Sequence, residues 1–431
     1  MATAPLSHPD TSTLDEIFLD LAALIELSPY DRRIAESRYR RLKEHVERPS
    51  STLRLYLIDG ESLIYAQGSV ATSTTVLSGD EDDRFDIDAI VEIDVPGHWS
   101  DDRALDELFA TLQGFPGAQT ITRCTRCVQM QFAFMHMDVT VMDRRARIAG
   151  NRPGHIFHSP DTGAAYRVDS NPWGFTDWFR HKVGVGEAVF ADRLRVARDA
   201  ASNRRLQFLD ERERTILADA EQVPLPPAIP TRIDAQEVVA LKLLKRYLNL
   251  RYARSALKRP PSIWITKLAG DIGHDSRGLS HQLFTLAGGI SDNVRAHLAN
   301  GTVPNEENPS YRLDRINDRW PRPLPDGRKD MECLADHLDA LKVALNKMLH
   351  ATQDDILKEI DRLFGEQFGA AERQILKKRY DRREVDTGML IKPGSGAIFA
   401  PALVKAQPDL RPVPQHRFHP MKWPVRGSDG E

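Results

Sequence analysis

The sequence predicts an α+β fold, in which a lobe with a mixed β-sheet precedes a helical C-terminal lobe. Between Leu53 and Val141 apolar and polar residues alternate as they do in strands, apart from one helical stretch from Asp101 to Gln113. From Asp234 onward apolar residues recur at helical spacing instead. Runs of strands followed by runs of helices are typical of α+β proteins, so the order of the two patterns indicates the fold class.

Four regions are predicted along the 431 residues. We expect N-terminal helices in 1–50, a sheet-containing lobe in 51–230, a helical lobe in 231–385 and an extended segment rich in proline and glycine in 386–431. Helices outside the sheet lobe are predicted at Thr13–Ile25, Arg32–Val46, Glu237–Leu248, Glu332–His350 and Asp354–Phe368. The first two are expected to cradle the sheet, and Asp234 with Glu237 resembles a capping box.

Composition and charge exclude several classes of protein. Lys plus Arg total 59 against 62 Asp plus Glu, a net charge of −3, so the chain lacks the global basic excess of many nucleic-acid binders. Three cysteines, at 124, 127 and 333, are too few for a disulfide framework and favour a reducing compartment. No apolar run approaches the length of a membrane span, and the first residues do not resemble a signal peptide. We therefore expect a cytoplasmic protein without membrane association.

Asp86 and Asp88 lie on one face of a predicted strand, because apolar residues occupy every second position from Ile87 to Ile93. Two carboxylates about 7 Å apart on a strand repel each other, and a divalent cation would relieve that repulsion. Oxygen ligands of this kind favour magnesium or manganese. A solvated loop is the simpler alternative, since Asp80 to Asp83 is acidic as well.

A third carboxylate, Asp138, stands between apolar residues of another predicted strand. It is expected to face the same way as the aspartate pair, and three such carboxylates can hold two magnesium ions. His136 shares that predicted face. For His136 a packed or hydrogen-bonded strand residue is favoured over a metal ligand.

The tripeptide Gln67-Gly68-Ser69 precedes the aspartates and follows a predicted strand from Leu63 to Ala66. Gly68 would let backbone N–H groups approach a phosphate closely, and Ser69 adds a hydroxyl donor. A phosphate-binding turn together with three carboxylates points to nucleotidyl transfer.

With these motifs in this order, the chain resembles the DNA-polymerase-beta-type nucleotidyltransferases. Within that superfamily it is most similar to the cGAS/DncV-like nucleotidyltransferases (CD-NTases) of bacterial CBASS anti-phage systems. Three segments carry this narrower resemblance: Ser170-Asn171-Pro172 with Gly174, Trp178-Phe179, and Pro261-Ser262-Ile263 after the predicted helix that ends at Leu248. The resemblance covers roughly residues 50 to 380 and implies a polymerase-beta-like catalytic lobe.

The resemblance implies roles for the carboxylates and the turn. Asp86 and Asp88 would bridge two Mg²⁺ ions, with Mn²⁺ as an alternative, and Asp138 would complete the site of the ion that activates a ribose hydroxyl. Gln67, Gly68 and Ser69 would bind the phosphates of the donor nucleotide.

Two further residues, Lys245 and Ser262, would reach the triphosphate from the helical lobe if the resemblance holds. The alternative for Lys245 is a solvated helix face shared with Lys242 and Arg246, opposite a stripe of leucines. Two positions depart from the family pattern. Ser73 stands where many relatives have glycine, although Thr74 keeps the final threonine, and Ile263 replaces an aromatic residue that stacks on the base in related animal enzymes.

Two other motifs invite a functional interpretation for which a simpler one exists. Cys124 and Cys127 have the spacing of zinc ligands, but a structural zinc needs four, and ordinary reduced cysteines are favoured. Trp173, Trp178 and Phe179 could stack on a base, whereas core packing at the lobe junction is favoured.

The sequence thus predicts an enzyme that joins nucleoside triphosphates into a cyclic di- or trinucleotide second messenger and releases pyrophosphate. ATP is the expected substrate, with GTP or pyrimidine nucleotides as alternatives, and the resemblance implies a messenger-responsive effector and regulatory companion proteins as partners. A template-independent transferase acting on RNA, protein or a small molecule is the alternative enzyme. A silent nucleotide-binding protein is disfavoured, because every motif residue of the turn and the carboxylate set is intact.

Overall fold

The computed structural model describes residues 11–205 and 232–369, apart from gaps at 59, 61–62, 79–83, 133–134, 145–150, 185–186 and 254, together with Arg373 and the pairs 390–391 and 398–399. The chain forms two units, Met1–Gly369 and Ala370–Glu431. In the second unit, β10 (Leu390–Ile391) pairs with β11 (Ile398–Phe399) in antiparallel fashion. The rest of the predicted extended segment 386–431 lies outside the described residues.

The described strands of the first unit alternate with helices and then give way to them. The strands are β1 (Leu63–Gln67), β2 (Phe85–Ile93), β3 (Thr120–Arg123), β4 (Val128–Gln131), β5 (Met135–Arg144), β6 (Gly154–His158), β7 (Tyr166–Ser170), β8 (Glu307–Asn308) and β9 (Tyr311–Arg315). The helices are α1 (Thr11–Ile25), α2 (Pro29–Glu47), α3 (Gly68–Ala71), α4 (Arg103–Leu112), α5 (Pro172–Lys182), α6 (Ala188–Arg205), α7 (Gln236–Tyr252), α8 (Ser262–Ile272), α9 (Leu279–Asn300), α10 (Asp326–Met348) and α11 (Gln353–Phe364). A 3₁₀ turn at Thr52–Tyr56 joins the N-terminal helices to the sheet. The predicted α+β fold, with a mixed sheet followed by helices, is confirmed.

Seven strands form one mixed sheet with the order β1-β2-β5-β4-β3, and β6 and β7 continue from β5. Within it β2 and β5 are parallel neighbours, while β1 runs antiparallel to β2. Parallel neighbours in register place equivalent residues on the same face, so Asp88 and Asp138, which are register partners, point the same way. The predicted common face of the carboxylates is confirmed.

The opposite face of the sheet is the core of this lobe. Alternate residues of β2 and β5 are fully buried there against α2 and α4; Ile87, Val91, Met137, Val139, Leu42, Val46, Leu105 and Leu108 belong to this cluster. Helix α2 begins at Pro29 with a capping box, in which Ser28 and Asp31 each accept the other's backbone N–H. Tyr39 of the same helix donates its hydroxyl to the Asp88 carbonyl at 2.7 Å. The core helix thereby holds the strand at a predicted site residue.

The two N-terminal helices pack against different parts of the first unit, one against the sheet lobe and the other against helices. Helix α2 packs against β1 and α4, whereas α1 packs against α6, α7 and α9. The expectation that both helices cradle the sheet is therefore wrong for α1, whose apolar residues, among them Ile17, Phe18 and Leu21, are fully buried among helices.

Helix α7 is buried around almost its whole circumference. Besides the predicted leucines, the cations Lys242, Lys245 and Arg246 are 2%, 7% and 3% exposed, so the solvated face considered for them is wrong. The capping box predicted at its start is also wrong. Ala235 caps the helix without a side-chain bond, and Asp234 accepts a hydrogen bond from Arg198 Nη1 at 2.7 Å instead.

Glu26, at the end of α1, explains how one of these cations can be buried. Its carboxylate accepts hydrogen bonds from Arg198 of α6, Arg232 and Lys242, with N···O distances of 2.5, 3.2 and 2.5 Å. Burial alone would raise the pKa of Glu26, but the charges of Lys242, Arg232 and Arg198 lower it well below its usual range. Next to it, Leu77 donates its N–H to the Ile25 carbonyl at 2.9 Å. We call Glu26, Arg198, Arg232 and Lys242 the Glu26 cluster. It joins α1, α6, α7 and the segment that leads into α7.

We predict that Glu26→Gln lowers the free energy of unfolding by about 3 to 5 kcal/mol, because it leaves buried cations without their counter-charge. Urea denaturation at pH 7 measures this. Glu47→Gln is the matched control, since Glu47 faces Lys43 on the surface of α2 at 3.5 Å and should contribute less than about 0.5 kcal/mol.

The difference in free energy of unfolding between wild type and Glu26→Gln should be largest near pH 7. It should shrink as the pH falls below about 4, where the glutamate of the unfolded chain takes up its proton. Equal losses for the variants at positions 26 and 47 would contradict the role given to the cluster.

Candidate active site

A cavity of about 380 Å³ lies between the carboxyl end of β1 and the helices α7 and α8, which we call the helical layer. The predicted site residues all line it: Gln67, Gly68, Ser69, Asp86, Asp88, Asp138, Lys245 and Ser262. The structure thus brings together residues that lie up to 195 positions apart in the chain, from Gln67 to Ser262 (262 − 67 = 195).

The three aspartates occupy graded positions in the cavity. Asp86 is exposed, while Asp88 and Asp138 are partly buried side by side on adjoining strands. Withdrawal from water, followed by repulsion from Asp138 and Asp86, raises the pKa of Asp88 to about 8. Burial also raises the pKa of Asp138, although Gln129 Nε2 donates to its Oδ1 at 3.0 Å. The cavity therefore concentrates negative charge that a cation would stabilise.

These oxygen donors fit a magnesium or manganese site in kind, because hard divalent cations prefer carboxylates and leave other positions to water and substrate. Over the described ranges, no three acidic, histidine or cysteine side chains are already gathered as a ligand cluster. Asp138 is held by Gln129 instead, so a metal would have to draw the carboxylates together. His136 is the register partner of Asp86 but does not line the cavity.

The turn after β1 is shaped by its contact with Asp88. Gly68 has a φ of +61°, and a Cβ atom there would lie 2.3 Å from Asp88 Oδ2. Glycine is thus required both by the backbone conformation and by space. Ser69 lies beside it, with its Oγ 3.0 Å from Thr75 Oγ1. Gln67, the last residue of β1, is the register partner of Asp88.

Ser73 and Thr74 connect this turn to the helical layer. Ser73 has a φ of +60°, the left-handed conformation that favours glycine, and its Oγ accepts the Ile233 N–H at 3.1 Å. Thr74 Oγ1 accepts a hydrogen bond from Lys245 Nζ at 2.7 Å. Burial, and then repulsion from Arg259, lower the pKa of Lys245 to about 7. Ser73 therefore adopts a backbone conformation that favours glycine, and its side chain adds a hydrogen bond.

Helix α8 begins at Ser262, so both this residue and Ile263 lie in its first turn and line the cavity. Thr266, one turn later, donates its hydroxyl to the Ser262 carbonyl at 2.8 Å and also lines the cavity. Ile263 thus gives the cavity an aliphatic wall at the position where the family resemblance implies an aromatic residue in related animal enzymes.

The motif from Ser170 to Gly174 connects β7 to α5 and contacts β9. Asn171 caps α5 by accepting the Gly174 N–H at 3.1 Å, and its own N–H donates to Asp314 Oδ2 at 2.8 Å. A Cβ atom on Gly174 would lie 2.3 Å from atoms of Asn151 and Asn171. Ser170 and Asp314 also line the cavity.

The aromatic and cysteine motifs lie beside the site. Phe179 is fully buried, as core packing predicts, whereas Trp173 is 40% exposed and stacks on the Arg152 guanidinium at 4.3 Å. None of the three predicted aromatics lines the cavity, but Phe175 does. Cys124 and Cys127 are free thiols at the β3–β4 turn, and Cys333 lies near His337 of α10 instead.

Sequence reasoning missed several lining residues, notably Asn249, Arg259, Asp314 and Thr176. Asn249 had a usable signal, since it stands one helical turn after Lys245 and so shares its face. Arg259 and Asp314 lie outside the long helices and had no periodic pattern to mark them.

We predict that Gly68→Ala destabilises the protein more than Gly114→Ala. Both glycines have left-handed backbones, at φ +61° and +72°, but only a Cβ at 68 meets another atom within 4 Å. The conformational term should cost each variant about 1 to 2 kcal/mol, and the clash with Asp88 should add about 1 to 3 kcal/mol at position 68. Chemical denaturation of both variants measures the difference, and equal losses would show that the turn yields without strain.

Comparison with known proteins identifies relatives that span nearly the whole chain. No protein-family model matches. The chain is 28% identical over 415 residues to the cyclic dinucleotide synthase CdnG of Bradyrhizobium diazoefficiens, an alignment that covers 94% of each protein. The solved structure of the CD-NTase CdnG from the same organism, in complex with GTP, has a TM-score of 0.67 at 26% identity and covers 88% of this chain and 100% of that one.

A more distant solved structure, the Escherichia coli MS115-1 CdnC:HORMA-deltaN complex, has a TM-score of 0.51 at 15% identity. It covers 84% of this chain and 100% of the other, and at that identity it shows a common fold.

Proposed function

We propose that this chain, which belongs to the cGAS/DncV-like nucleotidyltransferases, joins nucleoside triphosphates into a cyclic di- or trinucleotide second messenger and releases pyrophosphate. One observation carries the proposal: the phosphate-binding turn, three carboxylates and a buried lysine from the helical layer all line one cavity. The similarity to a cyclic dinucleotide synthase over 94% of the chain supports the same conclusion. It does not favour the alternative of a transferase acting on RNA or protein.

Asp86, Asp88 and Asp138 would hold the metal ions, Mg²⁺ or Mn²⁺. When bound, such ions stabilise the charge that develops on the attacking and leaving oxygens. Asp138 has the further role of accepting the proton of the attacking ribose hydroxyl. Gln129 keeps that carboxylate in place through its hydrogen bond.

The donor triphosphate would lie between the turn and the helical layer. Ser69 and the backbone of Gly68 hold its phosphates from the sheet side, beside Gln67. Lys245 and Ser262 hold them from the helical side, where Lys245 exchanges its bond to Thr74 for one to a phosphate oxygen. A triphosphate that touches both layers fixes the α-phosphorus over the carboxylates.

The proposal extends to the substrates, partners and location of the enzyme. The GTP bound by CdnG supports a purine triphosphate as substrate, with ATP as the partner nucleotide. An effector protein that responds to the product, regulatory companion proteins, a role in CBASS anti-phage defence and a cytoplasmic location complete the proposal. No described helix has both the length and the apolar character to cross a membrane.

Incubating the protein with each labelled nucleoside triphosphate, alone and in pairs, with Mg²⁺ or Mn²⁺ tests this function. A cyclic product survives phosphatase treatment because it has no terminal phosphate. Asp86→Ala and Asp88→Ala should each reduce turnover at least about a hundredfold, as loss of a group that stabilises charge in the transition state typically does. Both should stay folded, since removing one carboxylate relieves repulsion.

Asp106→Ala is the control for the aspartate variants, because Asp106 pairs with Arg123 on the outer surface of α4. Substantial turnover in both active-site variants would overturn the metal assignment. Label transferred to added RNA would support the alternative enzyme instead.

We further predict that binding a non-hydrolysable triphosphate at pH 8 takes up close to one proton more in the wild type than in Lys245→Arg. Lys245, with a pKa of about 7, is mostly neutral at that pH, and a bound phosphate raises its pKa and returns its charge. Calorimetry in two buffers of different ionisation enthalpy, with EDTA present, measures the uptake. Asp88, with a pKa of about 8, titrates in both proteins, whereas the arginine of Lys245→Arg is already charged. Equal uptake in both proteins would contradict the contact.

A further inference from the structure

We propose that Arg259 is a further substrate-contacting residue, whose guanidinium binds the two terminal phosphates of the donor nucleotide, the portion that leaves as pyrophosphate. The inference rests on the proposed function. It assigns to the site a second cation, besides Lys245, that no sequence motif marks.

The position of Arg259 places it on the cavity wall. It belongs to the connection between α7 and α8, three residues before Ser262, and lines the cavity together with Ser262 and Lys245. The guanidinium donates from Nη1 to the side-chain oxygen of Asn249, which stands one helical turn after Lys245. Arg259 therefore lies on the helical side of the cavity, where the triphosphate is proposed to be held.

Arg259 is exposed to solvent, whereas the buried cations Lys242 and Arg246 have structural partners. Lys242 donates to Glu26, and Arg246 donates to the backbone carbonyls of Phe364 and Leu77. Arg259 differs from them, because in the described part of the chain its hydrogen-bond partner is a neutral amide and no carboxylate lies within ion-pair distance. Most of its five donors thus remain available to a ligand.

Charge in the cavity also favours an anionic ligand beside Arg259. It stands close enough to Lys245 to repel it and close enough to Asp86 to be attracted by it. Two cations that repel each other across one cavity are stabilised together by a polyanion between them. An arginine fork matches two phosphate oxygens at once, which a lysine does not.

Binding of inorganic pyrophosphate and of a nucleoside monophosphate, each measured by calorimetry, tests this inference without requiring turnover. Arg259→Ala should weaken pyrophosphate binding at least about tenfold, the effect of losing a charge-assisted hydrogen bond. Binding of the monophosphate, which lacks the two terminal phosphates, should change less than about twofold. Arg259→Lys should recover part of the pyrophosphate affinity, because the charge returns without the fork.

Lys258→Ala is the matched control, since Lys258 is the exposed neighbour of Arg259 and does not line the cavity. It should leave both affinities unchanged, and melting temperatures of all variants should stay close to that of the wild type. Unchanged pyrophosphate binding in Arg259→Ala, or an equal loss for both ligands, would overturn the inference.

The test separates this inference from the proposed function. A wild-type protein that binds triphosphate and pyrophosphate but makes no cyclic product would overturn only the proposed product, and the Arg259 comparison would still decide the phosphate contact. A wild-type protein that binds none of these ligands would overturn both.

Discussion

The architecture of this protein depends on one buried carboxylate. Glu26 is 2% exposed and pairs with Arg198 of α6, Arg232 and Lys242 of α7, all of which are distant from it in sequence. A buried charge is stable only when it is paired, so each of these segments is fixed relative to the others. Because Lys242 lies one helical turn before Lys245, the same carboxylate also sets the position of the lysine that reaches the cavity. The pairing of Glu26 therefore affects both the packing of the helices and the position of Lys245 in the cavity.

On the sheet, the alternation of side chains separates stability from chemistry. One face of β2 and β5 supplies fully buried apolar residues, and the other presents the carboxylates. The crowding of Asp88 against Gly68 and Asp138 is unfavourable for folding alone, and the core on the opposite face sustains it. Tyr39 contributes to both sides, since it packs in the core and holds the Asp88 carbonyl. A site that concentrates like charge in this way is suited to bind cations.

Sequence patterns predicted strands between Leu53 and Val141, the common face of the aspartates and six of the described helices, because these features depend on periodicity within short segments. The strands β6 to β9 and the helices α5, α6, α8 and α9 were not predicted. They failed for Lys242, Lys245 and Arg246, whose spacing on α7 is also that of a solvated face. What buries Lys242 is a glutamate 216 positions away, and no local pattern reports such a partner. Arg259 and Asp314 were missed for a related reason, since Arg259 lies in the connection between α7 and α8 and Asp314 in the short strand β9, and neither position is marked by a local pattern.

Ser73 shows which property of the turn is fixed. Glycine adopts a left-handed backbone without strain, whereas this chain adopts it with a side chain whose hydroxyl accepts a hydrogen bond from the Ile233 N–H. The left-handed conformation at this position can therefore be adopted by a residue other than glycine. A search pattern that demands glycine at this position would pass over this chain, and a criterion based on backbone conformation would include it.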